Sequence, residues 1–83
     1  MSNDITMPRL SDTMEEGKII RWLKHPGDTI RLGEVIAEVE TDKADMVLEA
    51  FDDGVLEQIK LQEGETAPVG ALIATIRPLD AAA

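Results

Sequence analysis

The chain has 83 residues, of which eight are basic and 17 are acidic, giving a formal net charge of −9. This charge disfavours binding to nucleic acids and to anionic membrane surfaces, because both are themselves negatively charged. The absence of cysteine excludes disulfides, thiolate metal sites and any thiol chemistry supplied by the chain itself.

Glycine and proline divide the chain into runs of roughly five to nine residues, which are too short for ordinary helices and are typical of strands. Six runs rich in Ile, Val and Leu are predicted strands: 5–8, 18–24, 34–40, 45–50, 55–61 and 72–77. Short extended segments at 29–31 and 66–68 bring the number to eight. A bulge or burial on both faces is expected at 19–23, where apolar residues do not alternate. The pattern predicts an all-β sandwich or flattened barrel of two sheets.

The second half of the chain repeats the first at a constant shift of 37 residues. Residues 17–39 align with 54–76 without a gap, and three glycine pairs coincide: Gly17 with Gly54, Gly27 with Gly64, and Gly33 with Gly70. Extended outward, the shift defines two units at about 5–41 and 42–78. Because solenoids generally need three or more repeats, two units in one small domain are expected to pack about a pseudo-twofold axis. Lys43 lies at the junction, and we expect it at the opposite end of the molecule from the chain ends.

Lys43 is the only basic residue between Arg31 and Lys60, an interval that contains nine acidic residues. The predicted strands 34–40 and 45–50 flank it, so residues 41–44 form a turn and expose the lysine. Exposure and neighbouring carboxylates favour the ammonium form, which is a poor catalyst. Lys43 is instead well placed for modification by another enzyme, although a solvated turn lysine is the commoner explanation of such a pattern.

Several separated motifs resemble one family. Residues 39–44, Val-Glu-Thr-Asp-Lys-Ala, resemble the lipoylation site of the lipoyl domains of 2-oxo acid dehydrogenase complexes. The segment 7–17, Met-Pro-Arg-Leu-Ser-Asp-Thr-Met-Glu-Glu-Gly, looks like the N-terminal segment of that family, especially in pyruvate dehydrogenase complexes. Residues 51–56 and 63–66 also match, so the resemblance covers about residues 4–77.

The resemblance implies two four-stranded antiparallel sheets in residues 1–79, followed by the start of an Ala-rich linker at 80–83. It implies that Lys43 carries lipoic acid in amide linkage and that Asp42 and Ala44 flank it for recognition. A lipoate ligase or lipoyl transferase would attach the cofactor. The domain would be a non-catalytic arm that moves acyl groups and electrons among the thiamine-diphosphate enzyme, the acyltransferase core and dihydrolipoyl dehydrogenase. Partner recognition is implied for six residues, Ser11, Asp12, Thr13, Glu15, Glu16 and Glu40.

Two other functions fit parts of the pattern. A biotinyl carrier domain has a similar architecture but typically flanks its lysine with methionines, where this chain has Asp42 and Ala44. An unmodified acidic β domain for protein interaction would explain the turns and the repeat without using Lys43. Asp45 departs from the small hydroxyl residue often found there in lipoyl domains, which leaves partner matching open. No metal site is expected, since residues 52–54 lack the ligand spacing of a calcium loop. A cytoplasmic location is expected, because no signal peptide or membrane-spanning run is evident. The isolated domain is expected to be monomeric.

Overall fold

A computed structural model describes residues 3–78, and the expected linker at 80–83 lies outside the described residues. Its elements are eight strands: β1 Asn3–Thr6, β2 Glu16–Trp22, β3 Thr29–Ile30, β4 Val35–Glu40, β5 Asp45–Glu49, β6 Gly54–Ile59, β7 Thr66–Pro68 and β8 Leu72–Arg77. The all-β prediction is therefore confirmed. The described part of the chain contains no helix long and apolar enough to cross a membrane.

The strands form two four-stranded antiparallel sheets, which confirms the predicted fold class. One sheet has the order β1-β8-β6-β3 and the other has the order β5-β4-β2-β7. The two orders correspond strand by strand, with partners that are four places apart in sequence: β1 corresponds to β5, β8 to β4, β6 to β2, and β3 to β7. The two sheets are therefore related by the pseudo-twofold symmetry expected of a duplicated unit.

Each sheet contains a bulge at the same point of the repeat. The register shifts between Ile19 and Arg21 in the β2–β4 pair, and between Leu56 and Gln58 in the β6–β8 pair. The first of these is the bulge expected at 19–23, and it leaves the Ile20 side chain 39% exposed.

The first strand begins earlier than predicted, at residue 3 instead of 5, and ends before Pro8. Proline has no N–H group to donate to the ladder, so the strand cannot continue regularly through that position.

Equivalent turns bind the opposite sheet through reciprocal backbone hydrogen bonds. The Gly27 N–H donates to the Leu56 carbonyl at 2.8 Å, and the Gly64 N–H donates to the Ile19 carbonyl at 2.7 Å. Both glycines have positive φ, 97° and 88°, a conformation that L side chains rarely adopt. The repeated Pro-Gly-Asp and Glu-Gly-Glu signals therefore encode a turn that joins the two sheets.

The shift of 37 does not extend to the first strand. Met7 exchanges backbone hydrogen bonds with Gly70 and Ala71, as Ala50 does with Gly33 and Glu34. Met7 and Ala50 are thus equivalent in the fold, yet they are 43 residues apart, six more than 37. Nine residues separate Met7 from Gly17, whereas three separate Ala50 from Gly54. Between these equivalent positions, the β1–β2 connection is therefore six residues longer than its β5–β6 counterpart.

The core lies between the sheets and is built largely from the repeated apolar positions. Five repeat-related pairs are buried: Ile19 and Leu56, Ile30 and Ala67, Ile36 and Ile73, Ala37 and Ala74, Val39 and Ile76. Trp22 is 4% exposed, and its indole N–H donates to the Leu61 carbonyl at 2.8 Å, so it is part of the core. Met7 and Met14, from the longer connection, are also fully buried.

The turn after β4 and the end of β8 lie at opposite ends of the sandwich. Glu40, the last residue of β4, pairs with Lys18 near the start of β2. Arg77, the last residue of β8, pairs with Val55. The next residue, Leu56, accepts a hydrogen bond from the Gly27 N–H, and Gly27 lies in the turn that follows β2. The end of β8 is therefore beyond the other end of β2. Asn3 pairs with Ile76 at that same distal end. The turn that contains Lys43 is therefore remote from both ends of the described chain.

Candidate functional site

Lys43 lies in the four-residue turn 41–44 that joins β4 to β5. The Thr41 N–H donates to the Ala44 carbonyl at 3.0 Å, and the Thr41 hydroxyl donates to the same carbonyl at 2.7 Å. The N–H groups of Lys43 and Ala44 both donate to Thr41 Oγ1 at 3.2 Å. Threonine and serine commonly stabilise turns in this way, with a side-chain oxygen replacing a backbone partner. Thr41 therefore fixes the backbone on which Lys43 is displayed.

The Lys43 side chain is exposed, and no carboxylate oxygen of residues 3–78 lies within 4 Å of its amine. Within residues 3–78, the basic side chains that lie within 4 Å of a carboxylate are those of Arg21, Lys24, His25 and Arg31. Lys43 thus differs from Lys24, whose Nζ lies 3.1 Å from Glu34 Oε2. An exposed amine on a hydrogen-bonded turn can be reached by a modifying enzyme, and no ion pair has to be broken first.

The β1–β2 loop, residues 7–15, lies against this turn and binds the residue before the lysine. The Ser11 hydroxyl donates to Asp42 Oδ1 at 2.7 Å, and the Thr13 hydroxyl donates to Asp42 Oδ2. We call these three residues the hydroxyl clasp. The hydrogen bond from Thr13 and then the one from Ser11 lower the pKa of Asp42, because they stabilise its ionised form. Asp42 is therefore a charged acceptor held by a loop that is about 30 residues away in sequence.

The loop is itself anchored in the core by Met14. The Met14 side chain is 0% exposed, the Arg9 guanidinium donates to the Met14 carbonyl at 2.7 Å, and the Leu10 N–H donates to Met14 Sδ at 3.1 Å. The Met14 N–H also closes a turn on the Ser11 carbonyl at 3.2 Å. The loop therefore has a defined conformation, with a buried anchor beneath the two hydroxyl donors.

A shallow depression of about 450 Å³ opens between the loop and the hairpin. It is lined by Thr13, Glu15, Glu16, Gly17, Lys18, Glu40, Thr41, Asp42 and Thr66. Five of the residues predicted to contribute to the site thus share one surface next to Lys43. Of the others, Ser11 reaches the surface through Asp42, Asp12 is exposed at the tip of the loop, and Ala44 closes the turn.

Three residues that support the site were not predicted to belong to it. Thr41 shapes the turn, Met14 anchors the loop and Arg9 binds the Met14 carbonyl. A hydroxyl residue at the first position of a turn is a recognisable signal for the role of Thr41. The break in the repeat is a signal for the role of Met14, because an apolar residue within the longer connection is a candidate to anchor the loop in the core.

The acidic residues considered as a calcium loop are part of a turn. Asp53 Oδ1 accepts a hydrogen bond from the Leu32 N–H at 2.7 Å, and Asp52 Oδ1 accepts one from the Asp53 N–H at 2.8 Å. Within residues 3–78, no three His, Asp or Glu side chains are grouped so that they could hold a metal ion.

Comparison with known proteins identifies similar sequences along almost the whole chain. The family described as "Biotin-requiring enzyme" matches residues 3–76. The chain is 51% identical over 78 residues to component 4 of the dihydrolipoyllysine-residue acetyltransferase of the chloroplast pyruvate dehydrogenase complex of Arabidopsis thaliana, covering 94% of this chain and 16% of that protein. It is 53% identical over 73 residues to the corresponding component of Rickettsia conorii, covering 87% of this chain and 18% of the relative.

A solved structure has the same fold. The lipoyl domain of the 2-oxoglutarate dehydrogenase complex of Azotobacter vinelandii superposes with a TM-score of 0.71 at 34% identity, covering 89% of this chain and 94% of that one. The chain spans less than one fifth of the length of the two curated relatives described above.

Proposed function

The chain belongs to the biotin- and lipoyl-attachment family, and from that premise we propose that it is a lipoyl carrier domain with lipoic acid in amide linkage on Lys43. The observation that carries the proposal is the exposed Lys43 amine on a turn fixed by Thr41, with no carboxylate within 4 Å. An amide at this amine requires no rearrangement of the fold, because the side chain contributes no contact to the core.

The composition of the chain also fits this cofactor. When bound, a lipoyl group supplies two sulfur atoms that accept and release acyl groups and electrons, a chemistry for which the cysteine-free chain has no group of its own. The domain itself contributes the attachment point, a rigid turn and a recognition surface. We propose that catalysis is performed by other enzymes and that the domain has no catalytic residue.

The relatives support a role in a pyruvate dehydrogenase complex. Both belong to acetyltransferase components of such complexes. We propose that the domain moves acyl groups and electrons among a thiamine-diphosphate enzyme, an acyltransferase core and dihydrolipoyl dehydrogenase, after a lipoate ligase or lipoyl transferase has modified Lys43. Attachment to the core by a flexible linker would raise the effective concentration of the arm at each partner. A cytoplasmic location and a monomeric isolated domain remain predictions.

The alternative cofactor within the family is biotin. The residues beside Lys43 are Asp42 and Ala44, not the methionines typical of biotinyl domains, and this favours lipoate. The two cofactors are distinguished by offering the chain to a lipoate ligase and, separately, to a biotin ligase.

The carrier function is tested with the lipoylated chain, a pyruvate-specific thiamine-diphosphate enzyme and pyruvate. We expect the mass of the chain to increase by one acetyl group and one hydrogen atom, because one sulfur becomes a thioester and the other a thiol, and we expect no increase with the Lys43→Arg variant. Parallel reactions with 2-oxoglutarate and its own thiamine-diphosphate enzyme identify the complex. Acylation only in the 2-oxoglutarate reaction would contradict assignment to a pyruvate complex.

A further inference from the structure

We infer that the β1–β2 loop is a positioning element for Lys43, in which Ser11 and Thr13 hold Asp42 so that loop and hairpin form one preassembled surface for the thiamine-diphosphate enzyme. The inference rests on the proposed carrier function and assigns separate roles to residues within its recognition surface. Ser11, Thr13 and Asp42 position the hairpin, whereas Asp12, Glu15 and Glu16 are exposed and available to a partner.

The length of the loop is not needed to connect its strands. Three residues, 51–53, separate Ala50 from Gly54, whereas nine residues, 8–16, separate the equivalent Met7 from Gly17. The six extra residues are the largest departure from the internal symmetry, and they lie at the Lys43 end of the molecule. Because Ser11 and Thr13 are within this extra segment, the insertion provides both donors to Asp42.

The geometry couples the loop and the hairpin at one carboxylate. Each oxygen of Asp42 accepts one hydroxyl hydrogen bond from the loop, and Asp42 is the immediate neighbour of Lys43. On the other side of Lys43, the described structure shows no side-chain hydrogen bond or ion pair at Asp45, although the two acids are equally charged. Asp45 therefore offers a matched control for charge without the clasp.

Preassembly affects association more than chemistry. A partner that contacts both the β1–β2 loop and the Lys43 hairpin must order them on binding if they are mobile, and ordering exposed segments reduces affinity. When the clasp is formed before binding, this ordering cost is removed equally from the enzyme-bound ground state and from the transition state of reductive acylation. Loss of the clasp is therefore expected to raise KM for the lipoylated chain with little change in kcat.

The test compares four variants of the 83-residue chain. Ser11→Ala with Thr13→Val removes both donors and keeps the charge of Asp42, and Asp42→Ala removes the acceptor. Asp45→Ala removes an equal charge on the other side of Lys43. Ser11→Thr with Thr13→Ser exchanges the two residues and retains both hydroxyls. Each is lipoylated enzymatically and its reductive acylation by the thiamine-diphosphate enzyme is measured, while amide hydrogen exchange is followed by NMR on the unmodified chains.

We expect both clasp-deficient variants to show about tenfold higher KM than the wild type and about five- to tenfold faster exchange at the Thr41 and Met14 amides, with kcat within about twofold. The hydroxyl-exchanged variant is expected to restore both values, and Asp45→Ala to leave the two exchange rates unchanged. Asp42→Ala is expected to raise KM more than Asp45→Ala does.

Unchanged exchange in both clasp-deficient variants would overturn the clasp as a positioning element, whether or not the chain accepts lipoate. Faster exchange with unchanged KM would overturn its role in recognition. Failure of the wild-type chain to accept lipoate would instead contradict the proposed function, and the exchange measurement would still decide whether the clasp orders the hairpin. Should the double variant not fold, Asp42→Ala decides alone.

Discussion

Gly17 and Met14 pack so closely that a β-carbon at position 17 would lie 2.7 Å from Met14 Cε. It would also lie 2.8 Å from Met7 Sδ and 2.9 Å from Val39 Cγ1. The glycine at the start of β2 therefore makes room for the two methionines that bury the ends of the β1–β2 loop. At its repeat equivalent, Gly54, a β-carbon would have one such close neighbour, the Arg77 carbonyl oxygen at 2.7 Å.

The two glycines give a matched pair of stability measurements. Gly17→Ala is expected to destabilise the fold by about 1 to 3 kcal/mol, since two of its three close neighbours are the ends of flexible methionine side chains that can move. Gly54→Ala is expected to cost more, because the backbone of β8 would have to shift. Urea unfolding followed by Trp22 fluorescence measures both. A smaller cost for Gly54→Ala would contradict the assigned contacts.

Core truncation at a repeat-related pair is expected to cost about 2 to 4 kcal/mol at each position. Val39→Ala and Ile76→Ala remove methyl groups from side chains that are almost completely buried between the sheets. Leu32→Ala is the control, because Leu32 is 68% exposed and its truncation is expected to change stability by less than about 0.5 kcal/mol. Equal melting curves for the core variants and the control would contradict this packing.

The hydroxyl clasp is expected to depend on pH in the acidic range. The pKa of Asp42 is lowered in the folded state, so the stabilisation from the clasp is fully present above the ordinary aspartate value of 3.8 and is lost as pH falls through the lower folded value. Carboxyl ¹³C NMR titration is expected to give a midpoint below 3.8 for Asp42. Ser11→Ala with Thr13→Val should move that midpoint upward, and an unmoved midpoint would show that the hydroxyls do not cause the shift.

Lys43→Arg is expected to leave stability within about 0.5 kcal/mol of the wild type, because the exposed side chain makes no core contact. Lys24→Arg is measured for comparison, because Lys24 does form an ion pair: its Nζ lies 3.1 Å from Glu34 Oε2. Urea unfolding of both variants measures the effect. A large loss for Lys43→Arg would mean that the residue has a structural role, which would weaken its assignment as a modification site.

Much of the fold followed from the sequence, because its glycines and apolar residues recur in two copies. Each copy indicates the same turns and the same buried positions, so the prediction of one strand is supported by the equivalent strand in the other copy. The bounds of the first two strands are each displaced by two residues: β1 is predicted at 5–8 and found at Asn3–Thr6, and β2 is predicted at 18–24 and found at Glu16–Trp22. The bulge at Ile20 was anticipated from the irregular alternation around it.

The candidate site was predicted in part. The turn at 41–44 and the exposure of Lys43 followed from the flanking strands, but the contact between Ser11, Thr13 and Asp42 did not. Hydroxyl and carboxylate groups are common in loops, and no local sequence feature identifies which of them form a hydrogen bond across about 30 residues. The anchor Met14 lies in a segment whose composition resembles a solvated acidic loop, so its burial depends on tertiary packing that no periodicity reports.

Attachment of lipoate to Lys43 can be measured by peptide mass mapping of the 83-residue chain after incubation with lipoate ligase, ATP and lipoic acid, beside a parallel reaction with biotin ligase and biotin. We expect a single lipoyl group confined to Lys43, no modification of the Lys43→Arg variant, and no biotin on either chain. Biotin on Lys43, lipoate on another lysine, or a folded chain that accepts neither cofactor would contradict this expectation.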